Sequence, residues 1–224
     1  MLLTMSLGLF VACQSEIDTK QAAEVKEVKE VKKAEKQINR PSPLTNKKLV
    51  KTPAPGVKIA PAGPAGNSFP LVADSKIEFI GAKVTGDHKG GFEKVKGSVM
   101  ADDAGKVSMV NLTIDMTSVY ADPFPYAEKF VSHLKDEDFF HVEKFPTASF
   151  KSTSIQEGKI TGVFEMRGVQ KEITFDGTFS DAPPYDLKAE FKINRKLWGI
   201  EYAGKADNLI KDDVAILANL QFAK

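Results

Sequence analysis

The side chains that could do chemistry are few, and the densest group lies between residues 133 and 141. His133, Asp136, Glu137 and His141 are close in sequence, and His133 and Glu137 are about one helical turn apart. Such a set could hold a divalent cation, but its spacing matches no standard zinc pattern. The alternative is a helix end dressed with acids beside a hydrogen-bonded histidine. His88 sits in Asp87-His88-Lys89-Gly90-Gly91, which reads as a solvated turn. Asp102-Asp103 and Asp212-Asp213 are paired acids, and turn chemistry explains them better than acid–base catalysis. No nucleophile elbow, phosphate loop or dinucleotide fingerprint appears. The most distinctive polar–aromatic pair is Arg195 with Trp198, inside Asn194-Arg195-Lys196-Leu197-Trp198-Gly199. It fits either a strand-end bend with the indole over a barrel end, or an arginine reaching the polar head of a ligand. Neither an enzyme nor a resident cofactor or metal is expected.

Composition narrows the field further. The 224 residues hold 31 Lys+Arg against 30 Asp+Glu, a net charge of +1 that gives no reason to expect a nucleic-acid partner. At 42% hydrophobic the chain has material for a core. A single Cys allows no intramolecular disulfide. No apolar run is long enough for a spanning helix. The charge is unevenly spread: residues 14–70 carry a net +5 and residues 71–224 a net −4.

Leu2 to Ala12 is mostly apolar, of signal-peptide length, and ends in Phe10-Val11-Ala12-Cys13. This ending resembles the lipobox of bacterial lipoproteins. The resemblance implies removal of residues 1–12, acylation of Cys13 and stable membrane anchoring. Gln14 in place of Asp after the Cys implies the outer membrane, facing the periplasm. The alternative is an ordinary signal peptide with an incidental Cys. Residues 13–70 read as a disordered tether. Glu24 to Lys36 repeats Val-Lys-Glu, which as a helix would stack like charges at i,i+3, so a solvated coil or transient helix is expected. Pro41, Pro43, Pro53, Pro55, Pro61, Pro64 and Pro70 then make a semi-stiff spacer. As a flexible coil the tether would reach on the order of 40 Å.

Period-two alternation dominates residues 71–224. Tyr185, Leu187, Ala189, Phe191 and Ile193 alternate with polar residues, as do Val110, Leu112, Ile114 and Met116, and Val214, Ile216, Ala218, Leu220 and Phe222 recur at the same period nearly as cleanly. Ile160 to Met166 and Val169 to Phe175 are joined near Arg167-Gly168. Weaker candidates are Ile77–Val84, Phe92–Met100 and Ala148–Ile155. The expectation is all-β: eight antiparallel strands with one wet face, forming a sandwich or a closed barrel. A membrane barrel, with its apolar face outward, is the less favoured form. A short helical insertion is expected within Pro125–Phe140.

Several of these segments resemble one family. VNLTIDMTSV with SHLKDEDFFHVEKFPTASFKSTSI, ITGVFEMRGVQKEITFDGTF and FKINRKLWGI are similar, in order, to the signatures of YceI-like proteins, the polyisoprenoid-binding periplasmic family. The resemblance covers about 72–222. It implies a lipocalin-like barrel that takes an isoprenoid tail, of a polyprenyl lipid or a quinone, and that often pairs as a homodimer. Inward candidates for ligand contact are Leu112, Ile114, Phe150, Phe164, Phe175, Leu187, Phe191 and Leu220. Phe130, Leu134, Phe139 and Phe140 would form a lid, with Trp198 at the barrel end. His133 and Arg195 are headgroup candidates. Ala189, Gly162 and Ala218 are small inward residues that favour an open lumen. The competing expectation is a barrel filled by its own side chains, which would leave a structural or stress-related envelope lipoprotein with a partner-binding surface.

Overall fold

The computed structural model describes residues 15–28, 66–73, 75–206 and 208–224. Thirteen strands lie within them: β1 (Glu24–Glu27), β2 (Asn67–Pro70), β3 (Lys76–Lys83), β4 (Gly86–Phe92), β5 (Val95–Ala101), β6 (Val107–Asp115), β7 (Val119–Ala121), β8 (Thr147–Gln156), β9 (Lys159–Met166), β10 (Val169–Phe179), β11 (Tyr185–Asn194), β12 (Gly204–Lys205) and β13 (Asn208–Phe222). One helix, α1 (Ala127–Lys135), falls inside the expected insertion. The eight expected strands are β3, β5, β6, β8, β9, β10, β11 and β13, so the count of eight was too low. β4 escapes detection because Gly90 and Gly91 replace apolar residues in the alternation. β7 is three residues long, and β1 lies in the charged repeat.

The strands form one sheet in the order β2-β5-β6-β8-β9-β10-β11-β13-β3-β4-β7, and all ladders are antiparallel. Chain continuity closes this sheet on itself. β4 and β5 are one long run interrupted at Glu93–Lys94: its first half pairs with β3 and its second with β6. β6 and β7 are likewise one run, broken by a 3-10 turn at Met116–Ser118. Closure removes most of the sheet edge. The hairpin turns follow from residue type. Glu157-Gly158 and Arg167-Gly168 both have positive φ at each central position, the geometry that matches right-handed strand twist.

One end of the barrel gathers the β3–β4 turn, the β9–β10 turn, the end of β11 and the start of β13, with α1 beside them. The other end gathers the turns at 102–106, 157–158 and 180–184. There the Tyr185 hydroxyl donates to the Gly105 carbonyl at 2.9 Å. Phe69, Tyr185 and Phe222 are buried at this far end, with Phe69 edge-on to Tyr185 at 4.9 Å. They make a floor.

A solvated tether over 13–70 does not describe residues 15–28. The Ala23 amide donates to the Lys192 carbonyl and the Lys192 amide to the Gln21 carbonyl, both at 2.9 Å. β1 then pairs with β10 from Glu24↔Thr174 to Glu27↔Lys171. The segment fills the place where β10 leaves β11, whose shared ladder covers only Gly177–Phe179 against Leu187–Ala189. Ile17 is fully buried in a second, outer cluster with Ile80, Ala82, Ala215 and Leu217. The sequence carried a signal for this. Val214 to Ala218 is unbroken apolar, and a strand that is apolar on both faces must be covered on both. β2, too, belongs to the wall, pairing with β5. Cys13, most of the Val-Lys-Glu repeat and the Pro-rich stretch as far as Pro64 lie outside the described residues.

Candidate functional site

The alternating strands turn their apolar side chains inward, opposite to a barrel with a lipid-facing outer surface. On β11, Leu187, Phe191 and Ile193 border the lumen, while Lys188 and Glu190 are exposed. Inside is a cavity of about 280 Å³. A single water needs roughly 10–15 Å³ of such space, so this is an open lumen and not a packing fault. The filled-barrel alternative does not describe it.

Three layers of aromatic and aliphatic side chains build the cavity. Phe150, Phe175 and Phe191 form a wall, Phe175 stacked on Phe191 at 4.1 Å and 5.5 Å from Phe150. Phe79 and Phe92 stand opposite and meet Phe140 at 6.3 and 5.8 Å. Leu220 and Leu187 lie deepest, towards the floor. Gly81 leaves room: a Cβ built there meets no heavy atom within 4 Å. Gly162 does not, because its missing Cβ is the space that the Phe150 ring occupies, 2.6 Å away. Of the expected small residues only Ala218 borders the cavity, so Ala189 and Gly162 are not what opens it.

The helix α1 closes part of the mouth. Phe130 and Leu134 are one turn apart on its inner face, and both border the cavity with Phe139 and Phe140. The loop that follows is tied down by Arg167, whose guanidinium donates to the carbonyls of Glu137, at 2.9 Å, and Phe139.

Among the described residues, polar groups border the cavity only at this mouth: Lys83, His88, His133 and Arg195. The His133 ring donates to Asp138 at 2.9 Å and stands edge-on to Phe139 and Tyr202 at 4.8 and 4.7 Å. The hydrogen-bonded reading of this histidine is thus the one observed. Among the described residues no three His, Cys, Asp or Glu side chains come together to hold a metal. Arg195 is 3% exposed and is spent on the fold. Its Nε donates to the Lys211 carbonyl at 3.1 Å, Nη1 to the Ile200 carbonyl at 2.6 Å, and Nη2 approaches Asp212 at 3.4 Å. Burial pushes its pKa down, and Asp212 and Glu201 oppose that.

The same motif explains its neighbours. Asn194 accepts from the Lys196 amide at 3.0 Å, starting a 3-10 turn over Arg195–Trp198. Gly199, at φ 72°, ends that turn in the left-handed region where glycine is at home. Trp198 is fully buried against Phe164, 5.3 Å away, and does not border the cavity. Its expected place among the ligand-contact residues is therefore corrected: the indole packs behind the wall. The other twelve expected wall and lid residues all border the cavity.

His88 was missed. It lies in β4 rather than in a solvated turn, borders the cavity, stacks on Phe124 at 4.4 Å and lies 5.1 Å from Phe130. Burial, then the nearby Lys83 charge, holds its pKa below the ordinary histidine value, with Asp87 opposing. Parity would have found both residues: steps of two run from Phe92 through Gly90 to His88, and from Phe79 through Gly81 to Lys83.

An antiparallel barrel with an oily lumen, open at one end and floored at the other, defines the class of β-barrels that enclose a small apolar ligand. The chain belongs to the YceI-like family, whose domain model matches residues 71–222. A UPF0312 protein of Pseudomonas putida is 29% identical over 193 residues, covering 76% of this chain and 96% of its own. Protein YceI of Escherichia coli O157:H7 is 32% identical over 116 residues, covering 48% and 59%. BcnA of Burkholderia cenocepacia superposes with a TM-score of 0.57 at 23% identity, over 66% of this chain and 96% of that one. A domain from Saccharophagus degradans, described as polyisoprenoid-binding, superposes at 0.56 and 14% identity, over 71% and 99%. Identities this low establish a shared fold.

Proposed function

We propose that this chain is a membrane-attached binding protein that holds the tail of an isoprenoid lipid, a polyprenyl lipid or quinone, in its barrel. The apolar cavity carries the reading. Each CH₂ withdrawn from water contributes about 0.8 kcal/mol, so a prenyl tail binds there without polar recognition. Membership of the YceI-like family supports the reading, as does the polyisoprenoid-binding description of the Saccharophagus domain. The residues in contact would be Phe150, Phe175 and Phe191 on one wall, Leu112 and Ile114 beside them, and Phe130 and Leu134 above. His133 and His88 stand where a headgroup would sit. The cavity border holds no Ser, Thr, Cys, Asp or Glu among the described residues, which favours carriage over turnover.

Attachment rests on Phe10-Val11-Ala12-Cys13, whose likeness to a lipobox supports acylation of Cys13 and a place in the bacterial envelope, on the periplasmic side of the outer membrane. Mass spectrometry of an organic extract from the natively purified protein tests the ligand. A stoichiometric prenyl lipid or quinone is expected, and an extract without one counts against the proposal.

A further inference from the structure

We propose that residues 15–28 hold the mouth of the barrel against the bilayer in which the chain is anchored, so that an isoprenoid passes between membrane and lumen without crossing water. This deepens the carrier reading and rests on the anchored N-terminus. Two independent observations carry it.

The first is where the N-terminal segment is fastened. The Ser15 hydroxyl donates to the Asp87 carboxylate, its oxygens 2.9 and 3.1 Å away. Asp87 is the residue before His88, on the rim of the cavity. Ile17 is buried under β3 and β13, Asp18 pairs with Lys211 at 2.8 Å, and Lys20 with Glu190 at 2.5 Å. β1 then locks into β10. Cys13 is two residues ahead of Ser15, and two Cα steps span at most about 7–8 Å. A lipid on Cys13 therefore enters the membrane beside the mouth. A 57-residue tether would impose no orientation; a two-residue one does.

The second is where apolar surface is exposed. Among the described residues the large exposed hydrophobics are Val84, Tyr126, Leu197 and Leu209, between 41 and 77% accessible. All four stand at the mouth. Val84 is in the β3–β4 turn and donates its amide to the carbonyl of Leu209, near the start of β13. Leu197 is in the 3-10 turn after β11, and Tyr126 caps α1. The turns at the floor carry Asp102, Asp103, Lys106, Glu157 and Asp181 instead. Scattered exposed hydrophobics are ordinary; their confinement to the rim of an oily cavity is the pattern of an interfacial surface. A tyrosine and aliphatic side chains suit the headgroup boundary of a bilayer.

Depth-dependent quenching tests this on the full, lipidated chain in vesicles of phosphatidylethanolamine and phosphatidylglycerol containing brominated lipid. Acylation consumes the only native Cys, so Val84→Cys, Leu209→Cys, Asp103→Cys and Asp181→Cys each offer one thiol for a fluorophore. Quenching at 84 and 209 is expected to exceed that at 103 and 181 by roughly threefold or more, because interfacial groups sit only about 5–10 Å into the membrane. Equal quenching at both ends of a vesicle-bound protein overturns the orientation alone. A protein that washes off the vesicles shows instead that the anchor is absent, and overturns both. In the Ile17→Asp variant the protein should stay bound while the mouth signal falls to the floor value. An unchanged mouth signal there would overturn the role of residues 15–28.

Discussion

His88 and Arg195 show how the polar residues of this lumen divide their work. Burial, beside Phe124 and Phe130, and then the Lys83 charge lower the pKa of His88 and so favour its neutral form. Its folded pKa lies below the unfolded value of about 6.5. The unfolded chain therefore takes up the proton first, and the stability tied to neutral His88 is full above about pH 6.5 and declines below it. Replacing His88 with Gln should flatten the acid limb of a plot of melting temperature against pH. A His88 NMR titration midpoint above 6.5 would contradict the assignment. Arg195 has the opposite character: it is charged, buried and bound to carbonyls. Arg195→Met leaves the Ile200 and Lys211 carbonyls without their donor, at a cost of about 2–4 kcal/mol. Arg195→Lys should do little better, because one ammonium nitrogen cannot stand at both of the positions from which Nε and Nη1 reach the two carbonyls. Urea denaturation reads both, and an unmoved midpoint would return Arg195 to the ligand.

At the scale of elements the N-terminal segment decides most. Its Lys and Glu side chains make it look like a solvated repeat, yet its backbone completes a ladder and Ile17 covers an apolar patch that β3 and β13 leave exposed. Truncating a buried isoleucine costs about 2–5 kcal/mol. Ile17→Ala should therefore speed amide exchange in Val25 to Glu27 on the order of thirtyfold, reading only the local opening. Exchange in β8 and β9 should stay as it was. Uniform acceleration over the whole barrel would mean that residues 15–28 are integral to folding and not a separable staple. The hairpin turns at Glu157-Gly158 and Arg167-Gly168 need no such support, since their residue types alone select the turn.

For the whole molecule the open lumen sets stability against function. An unfilled apolar space forgoes packing contacts that a filled core would make. Gly81 borders the cavity and a Cβ there meets nothing within 4 Å, so Gly81→Leu should fill part of the lumen and raise the melting temperature while bound prenyl lipid falls several-fold in the extract. A loss of stability would mean that the space at Gly81 is smaller than it looks. Alternation by itself marked five of the eight principal strands firmly and three weakly, with most of their inward residues, because a pleated strand fixes which side chains share a face. Motif order determined the family. Even His88 and Lys83 were within reach of the same count by twos. What the sequence left undecided was whether the inward side chains meet or stand apart, since both cores have the same pattern. Also undecided was which segment covers the outer face of β13. Those answers depend on distances between residues far apart in the chain, Phe79 to Phe140 or Ile17 to Ala215, and only the closed sheet brings such pairs to a definite separation.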